Sequence, residues 1–312
     1  MATRFARMLS GAVLAALLLS AEASTASTLP LKPVCVRAID TGKQLFFFPS
    51  RHFGLTGYEL DARTTTLFAD KEAAIYFEAS PPRGPGDLAK RANQFRRKSG
   101  TTYPELDAQE IHALAKHVAQ VLGVETIRGF QMVGSATPLL LAILTEGSLL
   151  LTSGERPSSG PGLEQIILRA GMDPTRIGGV EDANQTIPVE DMAVQAKALE
   201  HVRKLLKTVS CIECRKRMWT ELSAQRESYI RGDMKGLLEA RERYAEALGS
   251  RDLEDILVRD RNIAMAKVIA VLAKDNAAMK FVLVLGAGHV LGSGSVPDLL
   301  IRNGFATCAP VQ

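Results

Sequence analysis

The chain has 312 residues, 46% hydrophobic, 23% charged and 5% aromatic, which is the composition of a folded globular protein and excludes a disordered or fibrous one. Thirty-eight Lys and Arg against 34 Asp and Glu leave a formal charge of +4. The basic residues are spread along the chain, so nucleic acid is not an expected partner.

Arg4 and Arg7 precede an apolar run from Met8 to Leu19, and small residues follow in Ala21-Glu22-Ala23 and Ser24-Thr25-Ala26. This pattern reads as a signal peptide over 1–26, with the mature chain starting near Ser24 or Ser27. The run is shorter than the roughly 20 residues that span a bilayer, and the apolar stretch from Pro138 to Leu151 is interrupted by Glu146-Gly147. The expectation is an exported protein, periplasmic or secreted, with no stable membrane span after signal cleavage and one domain over 27–312.

Gln44 to Phe48 is apolar and aromatic between Gly42 and Pro49, and Ala73 to Phe77 is similar, so both read as short buried strands. Pro81 to Gly86 is a Pro/Gly loop. Beyond it Leu106, Ile111, Leu114, Val118, Val121 and Leu122 recur at helical spacing. Helices are further expected over Ser135 to Leu144, Leu163 to Ala170, Val189 to Val209, Trp219 to Arg231, Met234 to Ala247 and Leu253 to Leu272. Phe281 to Leu285 returns to strand, and Val296 to Arg302 reads as a helix closed by Gly304. The fold class is α/β: a single domain with a central sheet built from strands near both termini, and a largely helical middle packed around it.

In an oxidising compartment the four cysteines read as disulfides. Of three connectivities, Cys35 with Cys308 and Cys211 with Cys214 is favoured. The close pair, Cys211-Ile212-Glu213-Cys214, lies within a basic helical stretch, whereas a thioredoxin-like redox motif would follow a strand. No second ligand pair stands at the spacing of a structural zinc site.

The segment richest in chemistry is Gly286-Ala287-Gly288-His289, at the end of a buried strand, followed by Gly292-Ser293-Gly294. A histidine at the carboxyl end of a buried strand stands where open α/β sheets expose binding residues. A dinucleotide fingerprint is imitated by Gly286, Gly288 and Gly292, but it calls for an acidic residue about 20 positions on and for further βαβ units. The first strand also delivers a histidine, His52. The strand Ala73 to Phe77 delivers Glu78, and the run Ile177 to Val180 delivers Glu181. Imidazole and carboxylate together suit a divalent metal. The other histidines read as structural: His112 and His117 lie about 140° apart around a helix, and His201 sits among Arg and Lys.

These residues, together with the run Arg261-Asn262-Ile263-Ala264-Met265-Ala266, resemble the TraB/GumN family, which includes the Tiki metalloproteases. The family shows two Gly-x-x-His motifs and a glutamate closing the second strand. Here Gly286 to His289 matches the second motif, while Pro49-Ser50-Arg51-His52 places Pro49 where the first has glycine and Arg51 next to His52. The resemblance implies a metal-dependent hydrolase acting on a peptide or protein substrate, with a divalent metal (manganese, cobalt or zinc) as cofactor. It implies His52 and His289 as metal ligands and Glu78 as ligand or base. Glu181 would complete the shell or orient a histidine, Arg261 would stabilise an oxyanion or make an ion pair, and Asn262 would orient Arg261 or cap the turn. The alternative is a degenerate metal- or ligand-binding protein of the same fold.

Overall fold

The computed structural model describes residues 26–52, 54–82, 106–122, 125–142, 144–145, 161–181, 191–248 and 255–309. The expected leader up to residue 25, most of the Pro/Gly loop and the Glu146-Gly147 interruption lie outside them.

Strands β1 (Ser27–Leu29) and β4 (Tyr58–Leu60) form a small parallel pair. The main sheet contains β2 (Val34–Ala38), β3 (Gln44–Ser50), β5 (Ala73–Phe77), β6 (Ile177–Gly179), β7 (Lys280–Gly286) and β8 (Phe305–Thr307), in the order β6-β5-β7-β3-β2-β8. Strands β6, β5, β7 and β3 run parallel, and β2 is antiparallel to both β3 and β8. The class is α/β with both chain ends in one sheet, as the sequence implies.

The strand sequences are uninterrupted apolar runs because both sheet faces are buried. On one face Phe46, Phe48, Ile75, Phe77, Val282 and Val284 meet α1 (Ala62–Ala69) through Phe68 and α4 (Leu163–Arg169) through Leu163, Ile166 and Ile167. On the other, Leu45, Phe47, Phe281, Leu283 and Leu285 meet α8 (Arg261–Asp275) through Met265, Ala266 and Ile269, and α10 (Val296–Arg302) through Val296 and Leu300. Between α8 and α10, the short α9 (Ala287–Val290) follows β7 directly.

The helical middle meets the sheet through some of its helices and builds a second apolar cluster with the others. Helices α2 (Ala108–Leu122), α3 (Thr126–Ser135) and α5 (Met192–Ser210) enclose an apolar cluster of their own around Leu114, Val118, Leu139 and Val202. Contact with the sheet comes from α6 (Ile212–Ile230) through Tyr229 and from α7 (Met234–Leu248) through Leu237. The single helix expected over Ser135 to Leu144 is divided: Ala136 is extended, and a new helix starts at Pro138. Proline disfavours helical backbone in the residue before it and has no N–H to give the preceding turn. Helix α8 is likewise preceded by a π-turn, Asp255–Asp260. Among the described residues no helix is long and apolar enough to cross a membrane.

Both expected disulfides form. Cys35–Cys308 ties β2 to the chain just beyond β8, where the Cys308 amide also donates to the Cys35 carbonyl at 3.1 Å.

Candidate functional site

Parallel strands share a carboxyl edge, and in this register Ser50 stands beside Gly286, Phe77 beside Val284, and Gly179 beside Phe77. The residues that follow each strand therefore gather at one place. They are His52 after β3, Glu78 after β5, Glu181 after β6, and Gly286 with His289 at the end of β7.

Gly286 marks the point of convergence. A methyl carbon added to it would lie 3.1 Å from Glu78 Oε2, 3.4 Å from His289 Cδ2 and 3.7 Å from His52 Nε2. Its backbone is extended, with φ of −48°, so glycine serves here by leaving space. The Gly286 amide donates to Glu78 Oε2 at 3.0 Å.

Each imidazole is held from behind. Nδ1 of His289 meets Asn262 Oδ1 at 2.6 Å, and the Asn262 amide nitrogen donates to the Gly294 carbonyl at 2.8 Å, which ties the second glycine turn to α8. Nε2 of His289 then faces Glu78 Oε1 at 3.7 Å. Nδ1 of His52 is 3.2 Å from Glu164 Oε1, which also accepts from Ser50 Oγ at 2.5 Å. Gly162 permits this approach, because any side chain there would overlap the His52 backbone.

Arg261, the first residue of α8, bridges the two carboxylates. Its Nε donates to Glu181 Oε1 at 2.7 Å, and one terminal nitrogen donates to Glu181 Oε2 at 2.8 Å and to Glu78 Oε1. The partner of Glu181 is thus the Arg261 guanidinium. Asn262 orients His289 rather than Arg261 while binding the turn, and Arg261 is engaged in ion pairs.

The protonation equilibria follow this arrangement. Burial pushes the His289 imidazole down to about 4, with the cations Arg261 and Arg241 acting in the same direction against Glu78. The hydrogen bond that His52 donates to Glu164 raises its pKa above the ordinary value, against the effect of burial. Burial acts to raise Glu78, but His289, Arg261 and the Gly286 amide outweigh it and hold the carboxyl low. Burial keeps Glu181 high in spite of its bonds to Arg261. The two carboxyls are thus shifted in opposite directions.

The donor set suits a divalent ion: both imidazoles are fixed through Nδ1, the usual outer support of a histidine–metal site, and both border the space beside Gly286 next to Glu78. The space beside Gly286 is of the kind a single atom would fill. As they stand, no three His, Cys, Asp or Glu groups among the described residues form a closed ligand set.

The amino-acid sequence matches the model of the TraB/PrgY/gumN family over residues 36–307. The chain belongs to the TraB/PrgY/gumN family. Comparison with curated proteins and with solved structures finds no match.

The proline at position 49 of this TraB/PrgY/gumN chain is accommodated by the sheet. Along β3 the Gln44 amide points to β7, donating to the Met279 carbonyl, and the Lys43 carbonyl points to β2, accepting from Ala38. By alternation Pro49 faces the β2 side, where pairing has already ended at Phe47, so no ladder bond is lost. Its carbonyl accepts from Tyr229 Oη at 2.9 Å. Arg51 is also turned away: its electrostatic neighbours are Arg226 and Tyr229 of α6, and burial lowers its pKa. The cations that act on His289 are Arg261 and Arg241.

Four contributors had no signal in the sequence: Glu164, Ser50, Tyr229 and Arg241. The guanidinium of Arg241 would lie 2.5 Å from a methyl carbon on Gly288, so the end of this flexible side chain from α7 rests against the turn that carries His289. His112 and His117 on α2 and His201 on α5 lie away from the site, as expected.

Proposed function

We propose that this protein is an exported metal-dependent hydrolase, most simply a peptidase, working at the corner formed by His52, Glu78 and His289. The observation that carries the reading is the pair of imidazoles, each fixed at Nδ1 by an acceptor, with His289 Nε2 facing Glu78 and His52 Nε2 bordering the same space left by Gly286. A divalent ion held there by His52, His289 and Glu78 would lower the pKa of bound water and polarise a substrate carbonyl. The protein groups supply the rest. His289 is uncharged at neutral pH, so its Nε2 lone pair is available for coordination. Glu78 is ionised, and Arg261 fixes its direction and neutralises its charge. Arg261 acts as a positioning residue here, since its nitrogens are committed to Glu78 and Glu181.

A second reading, a metal- or ligand-binding protein that no longer cleaves, is favoured by one observation: the donors do not close on a single point, and Arg261 occupies Glu78 Oε1. One experiment separates the two. Purified protein is loaded with manganese, cobalt or zinc, its metal content is measured by mass spectrometry, and an unstructured peptide mixture is offered with and without chelator. Chelator-sensitive cleavage that His289→Ala abolishes supports the hydrolase. Bound metal without cleavage supports the binder, and metal in neither wild type nor variant defeats both.

A further inference from the structure

The Cys211–Cys214 pair is used by neither reading of the site. The sequence places it inside a helical stretch, but the structure divides that stretch at the pair. Cys211 ends α5 and is the N-cap of α6, and its Sγ accepts the Cys214 amide at 3.1 Å. The two disulfides of this chain differ sharply in situation. Cys35–Cys308 spans 273 positions and begins from a buried residue, so it restricts most of the unfolded chain. Cys211–Cys214 spans three positions and closes almost no loop, and Cys214 is exposed while Cys211 is partly covered. Loop closure therefore explains little of its presence. The surroundings suit a reactive sulfur instead. Lys207, Arg215 and Arg217 stand near the pair in sequence, while Arg203, Lys204 and Lys216 are paired with Glu110, Glu200 and Glu213, and a thiolate at the N-cap of a 19-residue helix gains from the helix amides and dipole. Ile212, between the two sulfurs, is 62% exposed, an apolar contact beside a reactive bond.

We propose that Cys211–Cys214 is a redox-active disulfide that exchanges with the dithiol of a partner protein. The thiolate of the partner attacks the exposed Cys214 Sγ, the Cys211–Cys214 bond breaks, and the electron pair leaves on Cys211 Sγ as a thiolate to which the Cys214 amide donates a hydrogen bond and which takes up a proton from solvent when the dithiol form is reached. The second thiol of the partner then loses its proton and attacks its own sulfur in the mixed disulfide, releasing Cys214 as a thiolate that is protonated. The partner dithiol is oxidised to a disulfide and the Cys211–Cys214 disulfide is reduced to a dithiol, with two electrons and two protons transferred. A low-pKa sulfur at the N-cap is the better leaving group, which fixes this direction of attack.

The test uses the full wild-type chain purified in oxidised form and equilibrated with graded dithiothreitol, with both pairs followed by differential alkylation and mass spectrometry. Cys211–Cys214 is expected to open at dithiol concentrations at least ten-fold below those that open Cys35–Cys308. In the reduced protein Cys211 should be alkylated as a thiolate well below the ordinary thiol pKa of about 8.5. A thioredoxin-class protein lacking its second cysteine should be trapped on Cys214. A separation of less than ten-fold, a Cys211 thiol titrating at or above about 8.5, or trapping on Cys211 overturns the proposal.

Discussion

Replacing Arg261 with Met tests the charge arrangement on which the site rests. The methionine keeps most of the aliphatic length and removes the guanidinium. Arg261, Glu78 and Glu181 are only 14%, 18% and 11% exposed at their side chains, so the loss falls on partly desolvated groups. Three charge-assisted bonds disappear together, and two carboxylates are left facing each other with the Gly286 amide as remaining donor to Glu78. Removing one partner of a buried pair typically costs about 3 to 5 kcal/mol, a large share of the 5 to 15 kcal/mol that holds an ordinary domain together. The pH dependence gives a second check. In the wild type Glu78 has a lowered pKa, so the stabilisation from its pairing is present above the unfolded carboxyl value and is lost as pH falls through the folded one. In Arg261→Met both carboxyls rise, and the penalty, full at pH 7, is relieved as acid protonates them. The gap between the two proteins should therefore narrow from pH 7 to pH 4.5. Urea unfolding at both pH values measures it, and Arg261→Met/Glu181→Gln should be more stable than the single variant at pH 7. A loss below about 1 kcal/mol at pH 7, or a gap that does not narrow, would refute the arrangement.

Gly286→Ala puts a methyl group into the space between His52, Glu78 and His289; the backbone there accepts alanine, so unfolding in urea should change by less than about 1 kcal/mol while metal binding by calorimetry drops at least about ten-fold. Glu164→Gln removes the charge that raises His52, so the acid limb of metal binding should move to lower pH, and the stability that protonated His52 gains from Glu164, fully present below its unfolded pKa and lost as pH rises through the folded one, should vanish in urea titrations at pH 5.5. Tyr229→Phe strips the Pro49 carbonyl of its buried donor and should cost about 1 to 3 kcal/mol by chemical denaturation, with little effect on metal affinity.

The sheet was readable because burial on both faces leaves a signature no surface element shares. Gln44 to Phe48 alternates its side chains between two cores, Phe46 and Phe48 on one face and Leu45 and Phe47 on the other, so the run is apolar throughout. The location of the site was readable for a related reason: parallel strands bring their carboxyl ends to one edge, so residues closing separate runs meet even when more than 200 positions separate them. The partners of those residues were not readable. Glu164 lies in the first turn of α4, at no characteristic spacing from His52, and meets it because Gly162 lets α4 close on the backbone after β3. Arg261 and Asn262 were marked by the sequence, but the contact of Asn262 with His289 was not, since adjacent helical residues point about 100° apart and only the docking of α8 decides what each one faces. The helix break at Ala136 needed the restriction imposed by Pro138 to outweigh a continuous apolar pattern.

That docking also explains how the site holds together. Met265, Ala266, Ile269 and Ala273 anchor α8 in the core beneath the sheet, and its first two residues then serve different strands: Arg261 binds the carboxylates that follow β5 and β6, and Asn262 binds the histidine that follows β7. One rigid helix end thus sets Glu78 relative to His289. His52 stands outside this clamp. Its side chain is 58% exposed, and its contact is with Glu164 on α4 rather than with α8. Geometry carried by packed elements is more exact than geometry carried by loops, so Glu78 and His289 form the fixed part of the site, and any adjustment that brings a third donor to the same point falls to His52.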